Sequence, residues 1–196
     1  MICYLVRHGK DDETVRGGWS QHPLSPEGIA QVQSLASELA KYSGIQKIYS
    51  SDLCRAMETA NILADRLHLS VTALPQFRET NNGDLAGMKN ELAVKRYPDL
   101  FWNQLGWEET YPNGESPKQF YERICRAWDA FSREICTGSE DVILVTHGGV
   151  IQVLLSILSG ETYSNKGSKR PVPYASMIPV QYEKGTWREC KQGRNL

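Results

Sequence analysis

Three short segments hold the polar residues best suited to chemistry. Arg7-His8-Gly9 follows the run Ile2 to Val6, and His147-Gly148-Gly149 follows Val142 to Thr146. Ser50-Ser51-Asp52 follows Tyr49, with Arg55 one turn further on. Packing alone would favour apolar residues at such places, and an arginine beside a buried strand is costly unless an anion meets it. Together these side chains permit a grip on a phosphate monoester dianion. Its transition state spreads charge over several oxygens and so needs several fixed donors. Arg7 and Arg55 can each bind it through two parallel N–H bonds, which a lysine cannot match. His147, placed where a helix begins, can set a protonated imidazole and a helix N-terminus against the anion. His8, if neutral and held through its other ring nitrogen, can attack phosphorus in line.

The elements that must position these groups can be read from periodicity. Ile2 to Val6 and Val142 to Thr146 are continuous apolar runs, as expected of strands buried on both faces of a mostly parallel sheet. Lys47 to Ser50 is a third candidate strand and Ser70 to Ala73 a fourth. Ligands bind beyond the C-terminal strand ends of open α/β sheets, where both histidines fall. Ser25-Pro26-Glu27 starts a helix with Ile29, Val32, Ala36 and Leu39 on its apolar face. Asp52 is the expected cap of a second, with Ala56, Ala60, Leu63 and Leu67 inward. Ser116-Pro117-Lys118-Gln119 has capping-box spacing and precedes the stripe Phe120, Ile124, Ala127, Trp128, Phe131 and Ile135. A last helix, from about Gly149 to Leu158, is apolar all round and belongs in the interior. The expected fold is a three-layer α/β/α sandwich with a mostly parallel central sheet.

Composition bounds the partners. The 196 residues are 40% apolar and 23% charged with a formal net charge of −1, so there is no general attraction to nucleic acid or anionic membrane. No run approaches the ~18 apolar residues of a membrane span. Five cysteines without a Cys-x-x-Cys pair argue against a disulfide scaffold or zinc site and for a cytoplasmic protein. A single domain over residues 1–196 is expected, with a small helical insert at about 85–114 over the active-site edge and a C-terminal hairpin at about 170–190. The insert is rich in aromatics, of which Trp102, Trp107 and Tyr111 are candidates for an apolar wall. Trp19 is a candidate for the pocket mouth.

Arg7-His8-Gly9 near the N-terminus resembles the signature of the histidine phosphatase superfamily, which includes the cofactor-dependent phosphoglycerate mutases. Five further blocks resemble that family in the same order: Pro23 to Gly28, Ser50 to Ala60, Phe77-Arg78-Glu79 with Gly83 and Gly87, Pro112 to Ser116, and Val145 to Gly149. The resemblance implies that His8 becomes a phosphohistidine and that Arg7, Arg55 and His147 form the phosphate pocket. It implies that Glu79 is the acid that protonates the leaving group and later deprotonates water. Asp84 in the same loop is the rival for that role. The arginines supply the positive charge, so neither a metal nor another cofactor is expected.

Several positions depart from the family pattern. Asp11 stands where serine is frequent and Thr14 where asparagine is frequent, while His22 and Ala86 replace common acidic residues. An acidic Asp11-Asp12-Glu13 beside a phosphate site must either turn away or meet a cationic part of the substrate. The short insert and the blocks around Phe77 and Pro112 resemble the small phosphatase branch more than the mutases. The expected activity is hydrolysis of a small phosphorylated metabolite by a monomer or homodimer. The alternatives are a mutase-type phosphotransferase and an idle member that binds phosphoesters or a phosphoprotein. Thr14, Trp19, Asp84 and Trp102 are the expected substrate contacts.

Overall fold

Residues 1–167 and 170–190 are described by a computed structural model of the chain. The strands are β1 (Ile2–Arg7), β2 (Ile45–Ser50), β3 (Val71–Ala73), β4 (Asp141–Thr146), β5 (Met177–Glu183) and β6 (Thr186–Glu189). The helices are α1 (Pro26–Leu39), α2 (Cys54–Leu67), α3 (Asn90–Arg96), α4 (Pro117–Ile135) and α5 (Gly148–Ser159). The strands form one sheet in the order β3-β2-β4-β1-β5-β6. The first four of these run parallel, while β5 is antiparallel to β1 and β6 is antiparallel to β5.

Alternation along the central strands builds two cores. Cys3 and Leu5 of β1, with Val142 and Leu144 of β4, face α4 and α5, meeting Phe120, Ile124, Phe131, Val150 and Leu154. Tyr4, Val6, Ile143 and Val145 face α1 and α2, meeting Val32, Leu35, Leu39, Ala56, Ala60 and Leu63. Burial on both faces explains why these strands read as continuous apolar runs. It also fixes register, because a slip of one residue would turn Tyr4 and Val6 to the wrong layer. The register places Arg7 opposite Thr146 and Ser50 opposite Val145. The residues that follow, His8, His147 and Ser51, therefore emerge at one level.

The helix starts agree with their sequence signals in two cases of three. Ser25 caps α1 by accepting from the Gly28 amide, with Pro26 at the first helical position. At α4 the Ser116 hydroxyl accepts from Gln119 N at 3.2 Å, and Gln119 Oε1 accepts from Ser116 N at 2.9 Å. Ser116→Ala is expected to cost about 1 kcal/mol in urea unfolding, the usual value of a cap. At α2, by contrast, Asp52 is not the cap. Leu53 occupies that position without a side-chain bond, and both Asp52 carboxylate oxygens accept from Arg78, at 2.5 and 2.6 Å. A paired guanidinium is a stronger partner for a carboxylate than a backbone amide.

The apolar face of α1 is also rotated from its expected setting. Ile29 is 39% exposed, and Leu35 is buried in its stead. The cause lies in Gly28, whose backbone packs so closely on the loop after β1 that a Cβ there would stand 2.0 Å from Lys10 O. The insert holds α3 and a small core of Leu85, Leu105 and Tyr111. Backbone bonds tie it to Thr14 and Arg16, and Asn165 Nδ2 donates to the carbonyls of Trp102 and Leu105. No helix among the described residues is long and apolar enough to cross a membrane.

Candidate active site

His8 leaves β1 with its amide bonded to Thr146 O at 3.0 Å. Its Nδ1 lies 2.7 Å from Gly9 O, so Nδ1 carries the proton and Nε2 is unprotonated. Burial, and after it the charges of Arg55 and Arg7, hold its pKa well below the ordinary histidine value of 6.5. His8 is thus neutral at physiological pH. Arg55 Nε donates to Nε2 at 3.3 Å.

Arg55 is only 2% exposed, and its other nitrogens are anchored on Ser20 O and Oγ and on Gly18 O, at 2.8 to 3.3 Å. Arg7 donates to Val172 O at 2.6 Å and stacks over the Tyr174 ring at 3.7 Å, while its Nε is buried without a partner. His147, fully buried at the start of α5, has its ring centre 5.1 Å from that of His8. The Ser51 hydroxyl lies 2.8 Å from His147 Nε2, and when it donates to that nitrogen the ring proton sits on Nδ1. That Nδ1 is buried and unpartnered. Burial and the charge of Arg55, with His8 and Arg7 behind them, keep the pKa of His147 well below 6.5. The free site therefore holds His147 neutral, and its fixed positive charge belongs to the two arginines.

Glu79 is brought to the same place by the loop after a short 3-10 turn over Pro75–Phe77. Its carboxylate accepts from Thr80 N and Gly149 N, both at 3.0 Å. Its carbonyl accepts from Trp19 Nε1 at 2.7 Å and from Arg123 Nη2 at 3.0 Å. Arg123 also donates to the carbonyls of Gln76 and Arg78 and pairs with Glu115. An arginine on the flank of α4 thus suspends the acid-bearing loop. Sequence reasoning missed it, since the carbonyls it holds lie more than 40 residues away along the chain. Ser51 was in sight within its motif without a role, and Tyr174 gave no signal.

The other expected contacts divide. Trp102 lines a cavity of about 660 Å³ that opens beside Glu79. Phe101, Tyr111, Leu100, Arg16 and Lys166 share its wall. Trp107 does not, because it packs on Tyr121 and Tyr163 instead. Trp19 is not in that wall and donates to the Glu79 carbonyl. Thr14 is exposed and donates to Asp12, and Asp84 is exposed and bonded to Asn113 and Tyr97, so the structure brings neither to the cluster. The acidic run does not simply turn away. Asp11 pairs with Arg55, and Glu13 accepts from the Tyr174 hydroxyl at 3.3 Å.

Known proteins share this arrangement's framework. Residues 3–193 match the family model described as the histidine phosphatase superfamily, branch 1. The chain is 28% identical over 190 residues to the uncharacterized phosphatase PhoE of Bacillus subtilis strain 168, covering 95% of this chain and 91% of that protein. It is 31% identical over 198 residues to a protein of Proteus mirabilis strain HI4320 named probable phosphoglycerate mutase GpmB, covering 94% and 86% respectively. The solved structure of a mycobacterial glucosyl-3-phosphoglycerate phosphatase superposes with a TM-score of 0.75 at 26% identity, over 96% of each chain. With a match that runs through nearly all of its length, the chain belongs to branch 1 of the histidine phosphatase superfamily.

Proposed function

We propose that the protein is a phosphomonoester hydrolase that works without a metal, through a phosphohistidine on His8. Its substrate is a small organic phosphate whose leaving group occupies the cavity beside Glu79. The observation that carries this reading is the unprotonated Nε2 of a buried His8, set against the guanidinium of Arg55. Arg7 Nε and His147 Nδ1, buried and unpartnered, are donors that a phosphoryl oxygen would satisfy. In the first step Nε2 forms a bond to phosphorus and the bond to the leaving oxygen breaks, with a proton passing to that oxygen from Glu79. In the second step water attacks phosphorus, Glu79 takes its proton, and the P–N bond breaks.

The aromatic wall of Phe101, Trp102 and Tyr111 supports a leaving group with an apolar or ring portion. The near-neutral net charge supports a small metabolite substrate over a nucleic acid. Phosphate release from p-nitrophenyl phosphate in excess chelator tests the proposal. Turnover that persists with chelator, with phosphate trapped on His8, supports it. Failure to release phosphate from this or from a panel of sugar phosphates overturns it.

Gly149→Ala probes the role of Glu79 from the other side. A Cβ at Gly149 would stand 2.4 Å from Glu79 Oε1, so the carboxylate must move. Displacement of a catalytic group by an ångström costs about 10²-fold, and a loss of that size in kcat is expected.

A mutase-type phosphotransferase is the second reading. It draws on the name of the Proteus mirabilis relative. It also draws on Arg16, whose buried Nε is unpartnered, and on Lys166, which together would hold a second anionic group in the cavity. Conversion of 3-phosphoglycerate to its isomer in the presence of a bisphosphorylated primer, outpacing phosphate release, would favour it.

A further inference from the structure

Asp11 holds a position that the reaction leaves unexplained. Its Oδ2 lies 3.3 Å from Arg55 Nε, and that same Nε lies 3.3 Å from His8 Nε2. The remaining Arg55 nitrogens are committed to Ser20 and Gly18. A phosphoryl group under attack by His8 Nε2 must bring its oxygens to the guanidinium edge that Asp11 already occupies. The Asp11 side chain is 11% exposed, and its backbone is fixed by a bridge to Leu24, so the carboxylate is built into the pocket wall.

We propose that Asp11 is a proton-operated latch on the phosphate pocket: as a carboxylate it holds Arg55 against incoming phosphate, and phosphate binds with Asp11 in its neutral acid form. The inference rests on the phosphate-pocket reading above. On binding, one proton passes from solvent to Asp11, and the ion-pair contact of the Arg55 guanidinium passes from Asp11 to a phosphoryl oxygen. No covalent bond other than the new O–H changes.

Charge counting supports the exchange. Arg7 and Arg55 bring two positive charges to a phosphate dianion, and with Glu79 also facing Arg55 an ionised Asp11 adds surplus negative charge to a buried site. The groups facing Asp11 are Arg55 from α2, Arg7 from the end of β1, Glu13 on its own loop and Tyr174 from the segment before β5. Burial is the largest influence and pushes the Asp11 carboxyl above its usual range, against the opposing pull of Arg55. Burial thus favours the neutral acid form of Asp11.

Calorimetric titration with inorganic phosphate tests the latch on wild type, Asp11→Asn and Asp11→Ser. Comparing proteins at one pH cancels the ionisation of phosphate itself. At about pH 8 both variants are expected to bind phosphate about 10- to 100-fold more tightly than wild type, and the gap narrows as pH falls. Wild type is also expected to take up about one more proton on binding than Asp11→Asn, read from the dependence of the heat on the buffer's ionisation enthalpy. Equal affinities and equal proton uptake overturn the latch and leave the phosphate pocket standing. Weaker binding by both variants at about pH 8 also overturns it, making Asp11 an organiser of Arg55. Absence of binding by all three proteins removes the pocket reading and the latch with it.

Discussion

His8→Ala is expected to lower kcat on p-nitrophenyl phosphate by about 10⁴-fold or more, because no other group can take over as nucleophile. His147 is the nearest imidazole, but its Nε2 is engaged with Ser51, and its Nδ1 is buried against the same pocket as a donor. The chemistry of His8 also fixes a pH dependence. Only the neutral ring attacks, and burial with Arg55 and Arg7 lowers its pKa well below 6.5. The nucleophile therefore stays competent as pH falls past 6.5 and is lost only on further acidification through the depressed value. The acid limb of kcat/KM that belongs to His8 is expected below pH 6.5. Rapid acid quench with labelled substrate should trap label on wild type and none on the variant. Turnover by His8→Ala within tenfold of wild type would sink the phosphohistidine mechanism.

Glu79→Gln should separate the two halves of the reaction. A positioned acid contributes about 10² to 10⁴-fold where the leaving group needs a proton. Phosphates of simple alcohols are expected to lose that factor in the first step, because an alkoxide is a poor leaving group. p-Nitrophenolate leaves without help, so phosphorylation of His8 by that substrate should be nearly spared. Hydrolysis of the phosphohistidine still needs a base, and the amide cannot serve. Stopped-flow absorbance should then show a burst of about one nitrophenolate per site followed by slow turnover. An equal loss for both leaving groups, without a burst, would assign Glu79 to holding Gly149 and the loop and not to proton transfer. The contacts to Thr80 N and Gly149 N make that alternative outcome readable, since Gly149→Ala would then match Glu79→Gln on every substrate.

The parts of this site that could be read from the sequence are those placed by regular structure. Arg7, His8 and His147 stand at the ends of strands whose continuous apolar runs announce burial, and parallel register brings those ends level. Arg55 lies one turn into a helix whose stripe is plain. The unread parts depend on long polar side chains choosing distant partners. Asp52 looks like a cap because the helix begins beside it, yet Arg78, 26 residues away, takes both of its oxygens. Arg123 sits beside the apolar stripe of α4, and nothing in helical periodicity says that its guanidinium spans three loop carbonyls. Ile29 fits the helical repeat, but the close approach of Gly28 to the loop at Lys10 sets the rotation of α1. Asp11 looks hostile to a phosphate site until its partner Arg55 is seen. Periodicity reports which face is apolar and carries no record of pairing between polar side chains.

The short strands at the margins of the sheet bear on how copies of the chain meet in concentrated solution. β3 has three residues and β6 four, and each borders the sheet among the described residues. A second chain adding a strand at either margin would gain only a few ladder bonds, while ordering each added residue costs roughly 1–2 kcal/mol. Growth of the sheet from molecule to molecule is therefore unfavourable, and fibre formation from the folded state has no long template to start from. Whatever association the protein undergoes must proceed through packed side-chain faces, so it should respond to mutations on helices and loops and not to changes in β3 or β6.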